Sequence, residues 1–325
     1  MPAYNAARYL AAAVESVQAQ TCPRWELIIV NDGSTDGTVD VLGALRDPRI
    51  RVFHQENRGQ CAAANRALAE AKGQFIKFFD ADDLLAPTML ERQLERLLPH
   101  PNCVASAEWG RFYGDDLGTF QLNRQSVWRD MEATDWLVES WTDARPMMQC
   151  ALWLIPRALL DRTGGWDERL SLINDFEFFA RVLCHAERVL FTPGCPLYYR
   201  SGLAGSLSGS KGRRAIESAF LSLTTGVDHL LNRRADPQSR LACANLLQDF
   251  IYSCYPQHPD LRAAVTQRIN LLGRPTIEPS GGGKFQLARR LLGWRLAKCL
   301  TFLFMPAYVR CNLKRHRETP VPVNP

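Results

Sequence analysis

Three carboxylates crowd the end of a short apolar run in "QFIKFFDADDLLA", where Asp80, Asp82 and Asp83 fall within four positions. Like charges this close repel one another, so the cluster calls for a partner of opposite sign. Two partners suit it: a divalent cation, which takes hard oxygen ligands, or the positive N-terminus of a following helix. A further acid, Asp32, stands just past the apolar stretch "WELIIV". There it can accept from the N3–H of a uracil or thymine ring, or simply form the turn ahead of Gly33.

The elements that must hold these acids follow from periodicity. Leu10, Val14 and Val17 are spaced four and three apart, which predicts a helix over 5–20 with one buried face. "WELIIV" (25–30) reads as a strand buried on both faces. The alternation continues with a strand at 49–55, an Ala-rich helix at 61–73, a strand at 75–80 and a helix at 87–98 that opens on Pro87. Short alternating strands and helices predict an α/β fold, a mainly parallel sheet with helices on both faces. In such sheets ligands bind beyond the carboxyl ends of the strands, so Asp32 and the Asp80–Asp83 group should meet in one crevice.

Beyond about residue 100 the alternation weakens. Strands are expected at 103–113 and 147–156, a helix at 133–141, a helix at 175–183, and two short strands at 189–194 and 196–200. Residues 213–272 read as helices broken at Asp236–Pro237 and Tyr255–Pro259, and 279–284 ("PSGGGK") as a linker. The resulting units are two α/β parts (1–100 and 101–212), a helical extension (213–278) and a linker with a basic tail (279–325).

Composition excludes several classes. The chain has 325 residues, of which 46% are hydrophobic and 22% charged, ordinary values for a folded protein. Its net charge of +5 is concentrated after Gly281, where nine Lys or Arg face the single acid Glu318. The acidic candidates lie elsewhere, so nucleic acid is not an expected partner. Ten cysteines are scattered without a C-x-x-C, and the six histidines are equally dispersed, against a zinc site and in keeping with a reducing cytoplasm. "MPAYNAARYL" has neither the basic start nor the apolar core of a signal peptide.

Five motifs in order, "PAYNAARYL…AVESVQAQTCPRWELIIVNDGSTDGT", "NRGQCAAANRALAEAKG", "FFDADD", "GGWDE" and "NDFEFFAR", resemble family 2 glycosyltransferases of GT-A fold over roughly residues 1–210. The resemblance implies a Rossmann-like sheet, with 1–100 as the nucleotide-sugar-binding half and 101–212 as the acceptor-binding half with the catalytic base. It also implies an inverting transfer of one sugar from a nucleotide diphospho-sugar, UDP-linked by the tilt of Asp32. The acceptor would be a hydroxyl on a saccharide or lipid-linked molecule, in cell-envelope or surface polysaccharide or glycolipid assembly. It implies Mg²⁺ or Mn²⁺ as cofactor, with Asp80-Ala81-Asp82 as the family's D-x-D, Asp82 the direct ligand and Asp80 toward the ribose or a metal-bound water. It implies that Pro2, Ala3, Tyr4 and Asp32 line the base, that Arg58 contacts base or phosphate, and that Asp175 is the general base. Asp175 could instead cap its helix, with Asp167 and Glu168 as fallback bases and Glu177–Arg181 as a surface pair. Asn174 stands where the family usually has an acid. Arg200 and Lys211 fall in the family's loop over the diphosphate, and either could equally be a solvated charge.

One departure bears on the fold. The family carries an apolar strand of several residues before "PAYN", whereas here Met1 directly precedes that motif, so the first strand is expected to be lacking and its neighbours exposed. An inactive nucleotide-binding scaffold is the alternative this raises. A nucleotidyltransferase would carry a Gly-rich phosphate loop and a lysine near the start, and the sequence shows neither. At the other end, residues 296–309 are apolar but interrupted by Lys298 and Pro306, and are shorter than the ~20 residues a span needs. Trp294, Phe302, Phe304 and Tyr308 with flanking basic residues suit peripheral contact of 284–317 with the inner face of a cytoplasmic membrane. The other reading packs this segment on the protein's own core.

Overall fold

The computed structural model describes residues 1–203 and 212–304. Its first layer is parallel. β2 (Leu27–Asp32) lies between β1 (Pro2–Ala3) and β3 (Ile50–Gln55), both parallel to it. Every residue of β2 is buried, because helices cover both faces. Side chains alternate along a strand. Ile28 and Val30 therefore pack on Ala63 and Ala67 of α3 (Gln60–Glu70), while Leu27 and Ile29 join the main core with Leu10 and Val14 of α1 (Leu10–Gln18). α2 (Thr38–Gly43) connects β2 to β3.

The first strand, expected to be lacking, is present as its last two residues. Pro2 and Ala3 sit opposite Val30 and Asn31, and the Met1 ammonium donates to Ile28 O at 2.8 Å. β4 (Phe75–Ile76) does not pair with β1; it lies antiparallel to β9 (Ile155–Pro156). The sheet is thus divided into three parts.

The second layer is mixed. The long strand β6 (Val104–Tyr113) runs parallel to β10 (Arg188–Ser201), which also pairs antiparallel with β5 (Leu84–Leu85) and β8 (Met131–Glu132). β7 (Asp116–Leu122) returns antiparallel on β6. Helices α4 (Met89–Leu97), α5 (Ala133–Thr142), α6 (Arg157–Thr163) and α7 (Asn174–His185) flank this layer, followed by α8 (Arg213–Arg233), α9 (Pro237–Cys254), α10 (Pro259–Leu272) and α11 (Gly283–Leu303). The breaks at Asp236–Pro237 and Tyr255–Pro259 fall where Pro and turn residues placed them; Asp236 caps α9 by accepting from Ser239 N at 2.8 Å.

Four expected boundaries are corrected. The strand at 75–80 stops at Ile76 because Lys77 turns inward and its Nζ donates to Ala151 O (2.6 Å) and Trp153 O (3.1 Å). The strand at 147–156 becomes a 3₁₀ turn, Cys150–Leu152, ahead of β9, since Gln149 caps that turn by accepting from Ala151 N at 2.7 Å. The two strands at 189–200 are one strand, β10, with an irregularity between Thr192 and Leu197. Helix α11 begins at Gly283, inside the expected linker.

One aromatic cluster joins the layers. Trp166 stacks flat on Phe178 with ring centroids 4.0 Å apart, and Phe78 meets both edge-on at 5.1 and 5.3 Å. Phe78 lies two residues before Asp80 and Phe178 three after Asp175, so the cluster fixes the roots of both acidic segments. Trp166→Ala should lower stability by about 3–5 kcal/mol, read from the midpoint of urea unfolding. A loss no larger than that of an exposed residue would count against this role.

Candidate active site

The pairing of β5 with Leu197 and Tyr198 of β10 draws residues 80–83 against the end of β10. There Asp80, Asp82 and Asp83 each offer a carboxylate oxygen within 4.8 Å of the others. Two of the three are held by amides. Asp80 Oδ1 accepts from Gln60 Nε2 at 2.9 Å and Oδ2 from Gln149 Nε2 at 3.0 Å, while the same Gln149 nitrogen donates to Asp83 Oδ2 at 2.8 Å. Asp83 Oδ1 accepts from Arg200 N at 2.8 Å. The Asp82 carboxylate accepts from no other residue among those described.

Burial, reinforced by mutual repulsion, weakens the acids. The Asp82 carboxyl is pushed up to about 6 by burial and then by the Asp80 charge. Asp83 is raised well above the ordinary range by burial and by both neighbours, and Asp80 is raised chiefly by burial. An oxygen-only cluster with one uncommitted carboxylate fits a hard divalent cation such as Mg²⁺ or Mn²⁺. Of the two partners the sequence offered the cluster, a helix N-terminus does not account for Asp83, which is a tie between Gln149 and β10.

Asp32 is 2% exposed at the end of β2. Its Oδ1 accepts from Gln55 Nε2 (2.7 Å) and Arg58 N (2.9 Å), and Oδ2 accepts from Gly59 N (2.8 Å). A carboxylate offers about four acceptor sites, so these bonds leave one site on Oδ2 unfilled. Asp32 thus holds the turn that opens α3, not the one at Gly33. Pro2 is half-buried, Ala3 buried and Tyr4 53% exposed beside the Asn31–Thr35 turn, which is tied down by Asn5 N donating to Ser34 Oγ at 3.0 Å. The Arg58 side chain is 66% exposed and pairs with Glu168 at 3.2 Å.

Asp175 is the second residue of α7 and half-buried. Its carboxyl is raised well above the usual range by burial and then by the charge of Asp80, which is the direction a general base needs. Pro2, Gln60, Asp80, Cys150 and Asn174 line one small cleft. Asn174 Nδ2 donates to Gln60 Oε1 (3.3 Å) and Cys61 Sγ (3.2 Å), so Gln60 bridges it to Asp80. An acid at 174 could not donate, and would add a charge where four carboxylates already crowd.

The fallback bases are committed elsewhere. Asp167 is chelated by Arg169, whose guanidinium holds it below the usual range, and Glu168 accepts from Asn65 Nδ2 at 3.0 Å as well as from Arg58. The Glu177–Arg181 pair forms at 2.7 Å, but it is not on the surface: the Glu177 side chain is 4% exposed and also meets His229 Nε2 at 3.0 Å, because α8 packs over it.

The Arg200 side chain is 3% exposed. Its Nε donates to Asp82 O (2.7 Å), its Nη1 donates to Gly114 O (2.5 Å) and Asp115 Oδ1 (2.7 Å), and it stacks between Tyr9 and Phe112. Arg200 therefore braces the backbone of the acidic loop from behind, and Ala81 is buried within that loop. Lys211 lies outside the described residues. Sequence reasoning missed Gln149 and Gln60, the amides that hold Asp80. Gln60 was visible as the last residue of "NRGQ"; Gln149 could have been found as the lone polar residue in the apolar run "MMQCALWLIP".

With this geometry in place, the chain can be compared with known proteins. Residues 1–163 match the family described as Glycosyl transferase family 2, and the chain belongs to that family. It is 45% identical over 100 residues to the putative teichuronic acid biosynthesis glycosyltransferase TuaG of Bacillus subtilis, covering 30% of this chain and 40% of that protein. It is 33% identical over 154 residues to the glycosyltransferase GlyG of Streptococcus pneumoniae, covering 43% of this chain and 51% of that one. The matches therefore span about half the length of these relatives or less. Among solved structures, residues 1–349 of S. aureus TarS in complex with UDP-GlcNAc superpose with a TM-score of 0.68 at 19% identity, covering 91% of this chain and 88% of that one. A mannosyltransferase of Pyrobaculum calidifontis in complex with GDP-Man and Mn²⁺ gives 0.52 at 17%, covering 93% and 85%. The fold is that of these GT-A glycosyltransferases.

The raised carboxyls fix the sign of a pH effect. A folded pKa above the unfolded one gives stability that is full at or below the ordinary aspartate value of 3.8 for Asp82 and is lost as pH rises through about 6. Without divalent cations the melting temperature should fall between about pH 4 and pH 6. Asp82→Asn should flatten that fall, and Mn²⁺ should raise the melting temperature above pH 6 but not near pH 4. A melting temperature that rises over this window would contradict the assignment.

Proposed function

We propose that this chain transfers a single sugar from a nucleotide diphospho-sugar, UDP-linked, to a hydroxyl acceptor with inversion, in cell-envelope or surface polysaccharide or glycolipid assembly. The observation that carries the reading is the meeting of the Asp80–Asp83 loop and the Asn174–Asp175 turn at one cleft beyond the ends of the parallel strands. The UDP-GlcNAc complex of the TarS fold neighbour and the teichuronic acid role of TuaG support the choice of donor and setting.

The roles divide by position. Asp32 offers its remaining acceptor site to the N3–H of the base, beside Pro2, Ala3 and Tyr4, with Arg58 at the rim. Asp82 would hold the cation, and Asp80, fixed by Gln60 and Gln149, would face the ribose or a cation-bound water. A bound Mg²⁺ or Mn²⁺ would supply neutralisation of the diphosphate charge. Asp175 takes the acceptor's hydroxyl proton as that oxygen bonds to the anomeric carbon and the bond to the diphosphate oxygen breaks. Burial and the nearby charge of Asp80 raise its affinity for that proton, the direction that favours accepting it.

Release of UDP from a panel of UDP-sugars with Mn²⁺ and simple glycoside acceptors tests the reading. Asp175→Asn should lower kcat by roughly 10²–10⁴-fold while UDP affinity in calorimetry stays unchanged. Binding without donor cleavage by the parent chain would make it a nucleotide-binding scaffold instead.

The place of action is part of the same reading. No helix among the described residues is long and apolar enough to cross a membrane. α11 has two faces. Phe285 and Ala297 are buried, and Trp294, offered by the sequence as a membrane anchor, packs edge-on against Tyr252 and Tyr255 at 4.9 and 5.1 Å. On its outer side Leu287, Leu291, Leu292 and Leu296 are exposed, together with Lys284, Arg290 and Arg295, and the helix contains no acid. Leucines rimmed by unopposed positive charge suit the interface of an anionic membrane, and this is the occupant we assign to the face; residues 305–317 of the expected segment lie outside the described chain. The protein should co-sediment with phosphatidylglycerol vesicles and not with phosphatidylcholine ones, and Leu287→Glu with Leu291→Glu should abolish this. Equal sedimentation with both lipids, or a dimer in solution that the same substitutions dissolve, would assign the face elsewhere.

A further inference from the structure

Asp175 stands beside the cleft, next to Asn174 in its wall, because the chain turns sharply just before α7, and the residue that makes this turn is poorly suited to it. Ile173 lies at φ 57°, ψ 29°, in the left-handed region, where a β-branched side chain crowds its own backbone. An asparagine there could stabilise the conformation with its own side chain; isoleucine has no polar group to do so. The stabilisation comes from α8.

Ser222 Oγ donates to Ile173 O at 2.5 Å and accepts from Glu177 N at 3.2 Å. One turn earlier, Ser218 Oγ accepts from Ser171 N (2.7 Å) and Leu172 N (2.9 Å) and donates to Leu172 O (3.0 Å). Both serines are buried, at 5% and 0% exposure for 218 and 222. Residues four apart share a helix face, and Gly226 continues the row. A Cβ at Gly226 would lie 2.5 Å from the Phe176 ring, so its absence lets α8 approach closely enough for the hydroxyls to reach the turn. The first amides of a helix have no partner within it. The direction in which Asp175 leaves the turn is therefore set by what holds residues 171–173, together with the ties of Asn174 to Gln60 and Cys61.

We propose that Ser222, aided by Ser218, is a positioning residue for Asp175: it holds Ile173 in the left-handed conformation and thereby aims the Asp175 carboxylate into the cleft. The proposal rests on the assignment of Asp175 as the base. It gives a small polar row on α8, far from the reacting atoms, a part in the reaction, and it accounts for an isoleucine kept at a strained position.

The test pairs Ser222→Ala with Ile173→Gly in the full chain, because glycine adopts positive φ without help. Two quantities are read: kcat in the UDP-release assay, and the ¹³C titration midpoint of the Asp175 carboxyl, assigned by its loss in Asp175→Asn. Ser222→Ala should lower kcat by roughly ten- to a hundredfold, leave the donor KM unchanged, and move the midpoint toward an ordinary carboxylate. Ile173→Gly in the Ser222→Ala background should restore much of both. A Ser222→Ala protein that loses only thermal stability, with kcat and midpoint unmoved, overturns the proposal, as does a double variant with no rescue. If Ser222→Ala does not fold, Ser218→Ala, which loosens only residues 171 and 172, is measured in its place against the same outcomes. Full turnover by Asp175→Asn would instead overturn the base assignment, and the midpoint alone would then decide whether the serines orient that carboxylate.

Discussion

The structure is organised around an electrostatic cost: four carboxylates, Asp80, Asp82, Asp83 and Asp175, are gathered in and around one poorly solvated cleft. Each is pushed toward its neutral form by burial, and for all but Asp80 the charge of a neighbouring acid adds to the effect. Such an arrangement persists only if neutral or positive groups are placed against it. Neutral amides carry most of that load. Gln149 spans Asp80 and Asp83, Gln60 spans Asp80 and Asn174, and the backbone N–H of Arg200 meets Asp83. Amides orient carboxylates without cancelling their charge, so the cluster keeps the capacity to attract a cation. The Arg200 guanidinium, which could have cancelled it, is turned onto backbone carbonyls and Asp115 behind the loop.

Holding these groups in register requires both layers of the fold. The parallel layer supplies Asp32 and, through the turn at 57–59, the start of α3 and hence Gln60. The mixed layer supplies the end of β10, and α7 beside it carries Asp175. Trp166, Phe78 and Phe178 lock the two acidic segments to one aromatic cluster, and rings in edge and stacked contact tolerate little displacement. Lys77 adds a second tie, its buried ammonium lowered to about 7 by desolvation while it donates to two carbonyls of the Gln149 segment.

Much of this was legible in the sequence, in proportion to how local the governing forces are. The first α/β alternations, the breaks before α9 and α10, and the acids at strand ends follow from periodicity, Pro and charge spacing, which act over a few residues. The strand expected at 75–80 was lost because Lys77 finds partners about seventy positions away. Gln149 was read as part of a strand because the run around it is apolar; its partners, Asp80 and Asp83, lie in a different segment. Arg200 looked free because the carbonyls it binds carry no sequence signature. Glu177 and Arg181 met the spacing of a surface pair, and only the packing of α8 made them interior. Ser218 and Ser222 were silent for the same reason, since a serine in a helix carries no mark of what it faces.

The separation of these contributors in the chain has a consequence for how the site can fail. Asp32, Asp80–Asp83, Gln149, Asp175 and Arg200 come from five segments, and α8 steadies one of them from outside the region matched to the family, which ends at residue 163. Loosening of α8 would release the 171–173 turn while leaving the parallel layer, and with it Asp32, in place. The nucleotide binding and proton abstraction proposed for these residues would then be lost separately, because different layers hold them.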